Sequence, residues 1–333
     1  MFNLDRKQRI YVLALGGTIA SVANQHTEEF YNRSSININE LIAALPFDPE
    51  KLTIVCDQIL HQISHEISHD DLFLLAKKVN ELVNSDDVDG IVITHGTNSI
   101  EETAYFLSLV INTKKPIVFT GSFRPFNALG YDGDRNLYNA ILLASNRNES
   151  KIGVVLTFND GIVSARDASK LNPSVMGNFS INGSGVIGFI QSNKIRIHSM
   201  VQNRHTYRSE FSIHDMSNFA KIFIIYGHIG MDSTFVKAAI ENNAQGIISA
   251  GMGKGYQPNE VTEALNKASC KGVYVVRCSR TGQGFINTDE KIDDEYGIIA
   301  GGSLNPQKAR ILLAVALSKT RNKMEIQRIF NQY

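Results

Sequence analysis

Short apolar runs alternate with amphipathic segments along the first half of this 333-residue chain. The apolar runs are rich in β-branched residues, and this alternation is typical of parallel strands covered by helices. In chain order the segments read IYVLALGG, DLFLLAKKVNELV, GIVITHG, IEETAYFLSLVI, PIVFTGS, NLYNAILLAS and IGVVLTF. The pattern predicts an N-terminal α/β domain with a parallel sheet over residues 1–194.

The helical periodicity stops near Gly185, and a polar stretch with Arg, His and Ser continues to about Ala220. We interpret residues 195–220 as a linker. The alternation then restarts with KIFIIYGH, STFVKAAIENN, GIISAGMG, NEVTEALNKA, VYVVRCS and PQKARILLAVALSK. The sequence therefore predicts a second, smaller α/β domain over residues 221–333.

Two of the predicted strands end in a glycine turn that carries a threonine. Gly16 and Gly17 allow close approach of the backbone and leave the hydroxyl of Thr18 at a strand tip, and Thr97 repeats this arrangement in HGTNS. A threonine is an inert alcohol until a base takes its proton. Lys170, in a loop beyond the strand IGVVLTF, is the candidate base, although a polar turn and a solvated lysine would explain the same letters.

The overall composition limits the kinds of partner. Lys plus Arg and Asp plus Glu number 33 each, so net charge gives no reason to expect nucleic acid or an anionic membrane. No apolar stretch approaches the roughly 20 residues that cross a bilayer. We interpret Cys56, Cys270 and Cys278 as buried reduced thiols, because they form no CxxC or Cys/His cluster. A small molecule or another subunit is the expected partner, and the cytoplasm is the expected compartment, with the periplasm open if a signal peptide has been removed.

Five motifs together carry a family resemblance. GGTIAS, HGTNSIEETAYFL, RPFNALGYDGDRNLYNA, ARDASK and SLNPQKARILLAVAL occur in this order. Over essentially the whole chain they resemble the bacterial-type L-asparaginases and glutaminase-asparaginases. The resemblance implies a two-domain fold, with a larger N-terminal α/β domain and a smaller flavodoxin-like domain. It also implies a homotetramer, a dimer of dimers whose active sites are shared between subunits.

The same resemblance implies the reaction and its catalytic residues. Family members hydrolyse a side-chain amide through a threonine acyl-enzyme, with neither metal nor cofactor. Thr18 matches the nucleophile and Tyr31 its partner, while Thr97 and Lys170 match the second half of the machinery. Which threonine attacks first stays open at this point. A second lysine nearby or a dry pocket would each make Lys170 a better base by lowering its pKa.

Two positions match the family's substrate-binding residues. Ser64 resembles the residue that holds the substrate's α-carboxylate. Glu290 resembles the glutamate that reaches the substrate's ammonium from a neighbouring subunit. A register shifted by one would put Lys291 at that position instead.

The chain departs from the family around one end of the substrate. The family has aspartate where this chain has Asn98, glutamine where it has His65, a small polar residue where it has Lys254, and glycine where it has Ile63. Unit charges about 4 Å apart interact by about 4 kcal/mol at an effective dielectric near 20. We therefore expect free asparagine to bind poorly at its ammonium, and an amide with a neutral α-nitrogen to bind better.

Two of these departures also allow simpler interpretations. Lys254 could point into solvent, and Asn98 could be an engineered replacement of aspartate. The chain could also be a catalytically silent homologue that binds an amino acid or has a regulatory role. Retention of both threonines, of Tyr31 and of Lys170 favours an active amidohydrolase.

Overall fold

The computed structural model describes residues 7–27, 36–146, 151–172, 179–181, 186–289, 293 and 295–333. It divides the chain into two compact units, residues 1–209 and 210–333. The dividing point lies within the segment interpreted as a linker from the sequence. Tyr31 and Glu290, and the alternative Lys291, lie outside the described residues.

An eight-stranded sheet forms the centre of the N-terminal unit, in the order β10-β9-β6-β5-β4-β3-β1-β2. Its first five strands along the chain pair in parallel, and β6, β9 and β10 pair antiparallel to their neighbours. A separate antiparallel pair is formed by β7 and β8. The strands are β1 (Gln8–Gly16), β2 (Leu52–Gln62), β3 (Gly90–Thr94), β4 (Ile117–Thr120), β5 (Val154–Phe158), β6 (Gly161–Ser164), β7 (Ala168–Lys170), β8 (Phe179–Ile181), β9 (Gly188–Gln191) and β10 (Lys194–Ile197).

Four helices accompany these strands: α1 (Ile38–Ala43), α2 (His69–Val83), α3 (Ile100–Val110) and α4 (Gly133–Ala144). Ser68 and Asp71 form a capping box that starts α2, because each side chain accepts a hydrogen bond from the other's backbone N–H. The α4 helix packs against β3 and β4, and α3 packs against β5. The buried apolar residues of strands and helices form a continuous core.

The predicted parallel pairing is confirmed up to β5, and the strands of the sheet that follow pair antiparallel. Asn159 and Asp160 have φ of 47° and 64°, and they turn the chain back from β5 into the antiparallel β6. Asn and Asp tolerate this left-handed conformation, which two-residue hairpin turns require. Ser192 and Asn193 form a similar turn between β9 and β10. The first residues of the predicted linker are therefore part of a strand, and Lys170 ends the short strand β7 rather than lying in a loop.

The C-terminal unit has its own four-stranded parallel sheet, in the order β11-β12-β13-β14. It has an apolar core of its own. In the described part of the chain no helix is long and apolar enough to cross a membrane. The elements are β11 (Ile222–Tyr226), α5 (Thr234–Glu241), β12 (Gly246–Gly251), α6 (Asn259–Cys270), β13 (Tyr274–Ser279), β14 (Ile299–Ala300), α7 (Pro306–Lys319) and α8 (Lys323–Gln332).

Candidate active site

Three predicted site residues follow three neighbouring strands of the N-terminal sheet. Because β1 pairs with both β3 and β2, the carboxyl ends of these parallel strands lie side by side. Thr18 comes just after β1, Thr97 after β3 and Ser64 after β2. All three residues are buried, with exposed fractions of 5%, 7% and 3% in that order. The fold therefore collects three hydroxyl groups at one edge of the sheet.

Glycines bring the turns after these strands into direct contact. A Cβ atom added at Gly17 would lie 2.5 Å from the backbone nitrogen of Gly96. One added at Gly96 would lie 2.7 Å from Ser64 Oγ. Gly17 also has a φ of +88°, a conformation that other residues rarely adopt. The close approach of the three strand ends therefore requires glycine in both the GGT and the HGT motif.

Lys170 reaches this edge from β7 and is held at both ends. Its Nζ donates to Thr97 Oγ1 at 2.9 Å and to Asn98 Oδ1 at 3.0 Å. Its backbone N–H donates to Glu101 Oε2 at 3.0 Å, and Nζ lies 5.7 Å from the centre of the Phe123 ring. Burial lowers the pKa of the Lys170 ammonium. The sequence suggested either a second lysine nearby or a dry pocket as the cause of a lowered pKa at Lys170, and burial is the cause in the structure.

Two of the three exposed residues that depart from the family pattern, Asn98 and His65, contact each other. Asn98 Nδ2 lies 3.5 Å from His65 Nδ1, and His65 Nε2 lies 3.9 Å from Glu66 Oε1. The backbone N–H of Asn98 donates to Ser64 Oγ at 3.2 Å, and Ser99 Oγ donates to the Ser64 carbonyl at 2.5 Å. These two departures therefore lie on an exposed rim beside the buried hydroxyls.

A buried histidine supports the HGT turn from below. His95 is 0% exposed, and its Nδ1 lies 2.7 Å from the Gly96 carbonyl. Because a carbonyl only accepts, Nδ1 carries the proton and Nε2 accepts from Thr103 Oγ1 at 2.9 Å. Burial lowers the pKa of His95 to about 4, so the ring is neutral near pH 7.

The other predicted residues lie in the C-terminal unit or outside the described residues. Lys254 lies in the C-terminal unit, in an exposed turn between β12 and α6. Its carbonyl accepts from Arg277 Nη1 at 2.8 Å. Tyr31 and Glu290 are outside the described residues. In the N-terminal unit, the structure brings together Thr18, Ser64, His65, Thr97, Asn98 and Lys170.

Sequence reasoning missed three residues that support the cluster: His95, Ser99 and Glu101. Glu101 lies 69 positions before Lys170, and its contact depends on how β7 folds back onto the start of α3. The available signal was a carboxylate in the first turn of α3, which suits a helix N-terminus on electrostatic grounds alone. The hydrogen bond that Glu101 accepts from Lys170 could not be predicted from the spacing of the two residues in the sequence.

The described residues include no group of three or more His, Cys, Asp or Glu side chains that could hold a metal ion. The expectation of buried thiols is wrong for Cys270, which is exposed at the end of α6, and Cys56 is only half-buried. Cys278 is buried, and burial raises the pKa of its thiol to about 12. These cysteines therefore give no indication of a metal centre.

Comparison with known proteins gives matches over both units. The family model "Asparaginase, N-terminal" matches residues 9–203, and "Glutaminase/Asparaginase C-terminal domain" matches residues 221–330. The chain is 40% identical to the glutaminase-asparaginase of Pseudomonas aeruginosa, over 99% of this chain and 91% of the other. It is 36% identical to L-asparaginase 2 of Escherichia coli, over 97% and 93%. The crystal structure of a probable cytoplasmic L-asparaginase from Campylobacter jejuni matches with a TM-score of 0.94 and 36% identity, covering 98% of this chain and 100% of that one.

Proposed function

This chain belongs to the asparaginase family, and on that premise we propose that it hydrolyses the side-chain amide of L-asparagine, or of a related compound, to the acid and ammonia. The hydrogen bond between Lys170 and Thr97 carries the proposal, because it joins an alcohol to an amine whose burial favours the neutral form. The names of the relatives favour an enzyme over a silent binding protein.

The proposed reaction proceeds through an ester on threonine. A threonine hydroxyl gives up its proton, and its oxygen attacks the carbonyl carbon of the amide. The C–N bond then breaks, the leaving nitrogen takes a proton, and ammonia departs. Water hydrolyses the ester to the acid and restores the hydroxyl. We assign the attack to Thr18, with Tyr31 as its partner. We assign to Lys170 the role of the base that accepts a proton from Thr97.

Two measurements test this mechanism. Purified protein is assayed for ammonia release from asparagine, glutamine and their α-N-acyl derivatives. Release from none of them would contradict an amidohydrolase. Mass spectrometry of acid-quenched enzyme then locates the acyl group, and its presence on Thr97 rather than Thr18 would reverse our assignment. Thr97→Val is the variant that tests the role of Thr97, since it replaces the hydroxyl with a methyl group of similar size.

We further propose that the substrate has a neutral α-nitrogen, in contrast to free asparagine. Ser64 would hold a substrate carboxylate, and Asn98, His65, Lys254 and Glu290 would surround the nitrogen. The Oδ1 atom of Asn98 already accepts from Lys170, so its amide turns an N–H donor outwards. A donor repels an ammonium, whereas a carboxylate at this position would attract it.

The test compares kcat/KM for asparagine and for an α-N-acyl asparagine. The Asn98→Asp, Lys254→Asn double variant should shift the preference towards free asparagine by about tenfold or more, since one charge interaction is worth several kcal/mol at close range. The single variant Asn98→Asp separates the two contributions. An unchanged ratio in both would contradict the proposed specificity. Ammonia release that appears only after Asn98→Asp would instead support the silent homologue.

We also propose a homotetramer in which Glu290 of one copy completes the site of another. Mixing two inactive variants, Thr18→Ala and Glu290→Ala, under subunit exchange should then restore activity, because half the sites in a mixed pair carry neither change. Each variant mixed with itself is the control. A stable, active monomer in light scattering would contradict the shared site.

For the compartment we propose the cytoplasm, which is also the compartment named for the Campylobacter jejuni protein, with the periplasm as the alternative. Cell fractionation distinguishes the two.

A further inference from the structure

The side-chain amide of Asn98 lies between two groups that can change their charge. Its Oδ1 is 3.0 Å from Lys170 Nζ, and its Nδ2 is 3.5 Å from His65 Nδ1. An ammonium only donates hydrogen bonds, so the oxygen of the amide must face Lys170. The amide NH₂ then necessarily faces His65. In this arrangement His65 Nδ1 must accept, which requires a neutral ring with its proton on Nε2.

The orientation of this amide affects the group that Lys170 offers to Thr97. A neutral lysine amine has two N–H groups and one lone pair. When Asn98 Oδ1 accepts from one N–H, the lone pair stays available for the Thr97 hydroxyl, 2.9 Å from Nζ. If the amide were reversed, its NH₂ would face Nζ and compete with Thr97 for that lone pair.

We propose that His65 is a positioning residue, whose neutral ring holds the Asn98 amide in the orientation that leaves the Lys170 lone pair free for Thr97. Protonation of His65 turns Nδ1 into a donor, which opposes the amide NH₂ and releases or reverses it. Turnover then falls. The inference rests on the proposed function, in which Lys170 accepts a proton from Thr97.

The charges around this chain of contacts allow such a switch. Among the described residues, Glu66 lies 3.9 Å from His65 Nε2, on the side of the ring away from Asn98. Glu101 accepts from the backbone N–H of Lys170, at the other end. The side chains of His65 and Glu66 are 57% and 59% exposed, so water reaches the ring and screens the pair. His65 can therefore exchange a proton with solvent, while Lys170 is partly buried.

An amide is the group that makes this device work. A carboxylate at position 98 would accept from Lys170 and from a protonated His65 alike, and it has no orientation to lose. With aspartate at position 98, the charge of His65 would therefore no longer affect whether the lone pair of Lys170 is available to Thr97. Position 98 thus acquires a function that aspartate cannot supply.

The first experiment measures kcat at saturating substrate near pH 7.5 and near pH 5.5. Histidine is the side chain that ordinarily changes its charge between pH 5 and 8, so this range covers both of its forms. We expect the drop in kcat to be several-fold larger in the parent than in His65→Gln, whose side-chain oxygen accepts from Asn98 at every pH. In Asn98→Asp the extra drop in kcat between pH 7.5 and pH 5.5 should likewise be absent. The ratio is taken within each variant, so changes in overall activity or in KM do not enter it.

Two results would overturn the inference. A His65→Gln variant with the parent's ratio would mean that another group causes the drop. An Asn98→Asp variant with the parent's ratio would mean that the amide does not transmit it. The side chain of His65→Lys only donates hydrogen bonds. Near pH 7.5 this variant should therefore have a kcat as low as that of the parent near pH 5.5, and a higher kcat would also contradict the proposal.

A second experiment does not depend on turnover. The side-chain NH₂ signal of isotope-labelled Asn98 should shift with pH in the parent and stay constant in His65→Gln. A constant signal in the parent would contradict the coupling. If the parent released no ammonia from any amide, the proposed function would fail, while this titration would still test the contact between Asn98 and His65.

Discussion

At the scale of single residues, the chemistry depends on how Lys170 is held. Glu101 fixes its backbone, and Thr97 and Asn98 fix its Nζ. The side chain enters the cluster from β7, where burial lowers the pKa of the ammonium. A smaller fraction of the amine is then protonated at any given pH, which suits a base that acts near neutrality.

Replacing Lys170 tests this role directly. Lys170→Met removes the amine and keeps most of the apolar stem, and we expect kcat to fall by about 10²–10⁴-fold. Lys170→Arg keeps the positive charge but cannot lose a proton, so it should lose activity to a similar extent. Thermal melting checks that both variants are folded. Substantial activity in Lys170→Arg would mean that this position supplies charge rather than a base.

His95 makes the stability of the N-terminal unit depend on pH. Its pKa is about 4 in the folded protein, below the ordinary histidine value of about 6.5. Between these values the unfolded chain binds more protons, so stability falls as the pH falls through this window. We expect urea unfolding to give about 2 kcal/mol less stability near pH 5 than near pH 7.5 from this group.

The control for this effect is His95→Gln, which can still hydrogen-bond but does not titrate. Its stability should be lower overall, and the part of the pH dependence that belongs to His95 should disappear. His205 is also buried, and its pKa is likewise lowered to about 4, so a smaller acid sensitivity should remain. Equal pH dependence in parent and variant would contradict the assignment to His95.

At the scale of secondary-structure elements, the turns decide which features the sequence could predict. The β-branched runs predicted the parallel strands, and the glycine motifs at their ends predicted Thr18 and Thr97 at strand tips. Ser64 was predicted only from the family resemblance, and the structure places it after the neighbouring strand β2. The hairpins at Asn159 and Ser192 were missed, because two turn residues between short strands give a weak signal beside long helical patterns. The position of Lys170 on β7 depends on the first of these hairpins, so its contacts required the structure.

The turn after β1 should tolerate no side chain at Gly17. In Gly17→Ala the new Cβ would meet the backbone of Gly96 at 2.5 Å, and backbone cannot move aside as a side-chain end can. We expect a stability loss of about 2–4 kcal/mol from overpacking and from the positive φ together. Activity should fall as well, because the displaced turns carry Thr18 and Thr97.

Gly130→Ala is the matched control in the same unit. Its φ is +71°, and its new Cβ would be close only to the guanidinium end of Arg124. It should therefore show the backbone strain of about 1–2 kcal/mol without the loss of kcat. If the two variants behaved alike in urea unfolding and in turnover, the contact between the glycine turns would not be the cause.

At the scale of the whole molecule, each unit has a core of its own, and the C-terminal unit also has a buried ion pair. Arg277 and Asp293 are 6% and 1% exposed, and they form two parallel hydrogen bonds. Arg277 also donates to the carbonyls of Lys254 and Asn287. One guanidinium thus joins two loops, and the proposed substrate-binding Lys254 lies in one of them.

Asp293→Asn should therefore destabilise the C-terminal unit selectively. It leaves a buried guanidinium without its counter-charge, which costs about 3–5 kcal/mol. Hydrogen exchange should speed up first at the backbone amides of β12 and β13, while those of β1 and β3 in the other unit change less. Glu325→Gln, which weakens a partly exposed pair with Arg328, is the control and should have little effect. Uniform acceleration in both units would contradict a selective effect on the C-terminal unit.

The contact between Gly17 and Gly96 has a consequence for how this enzyme can diversify. At the centre of the site, backbone packs directly against backbone. Any substitution of these glycines would add atoms where there is no room for them. Positions 65 and 98 instead lie in the open, where substitutions cost little folding energy. Random drift and laboratory selection should therefore accumulate changes at these two positions long before they reach the glycines. A mutant library directed at positions 65 and 98 would explore new substrates while the hydroxyls stay in place.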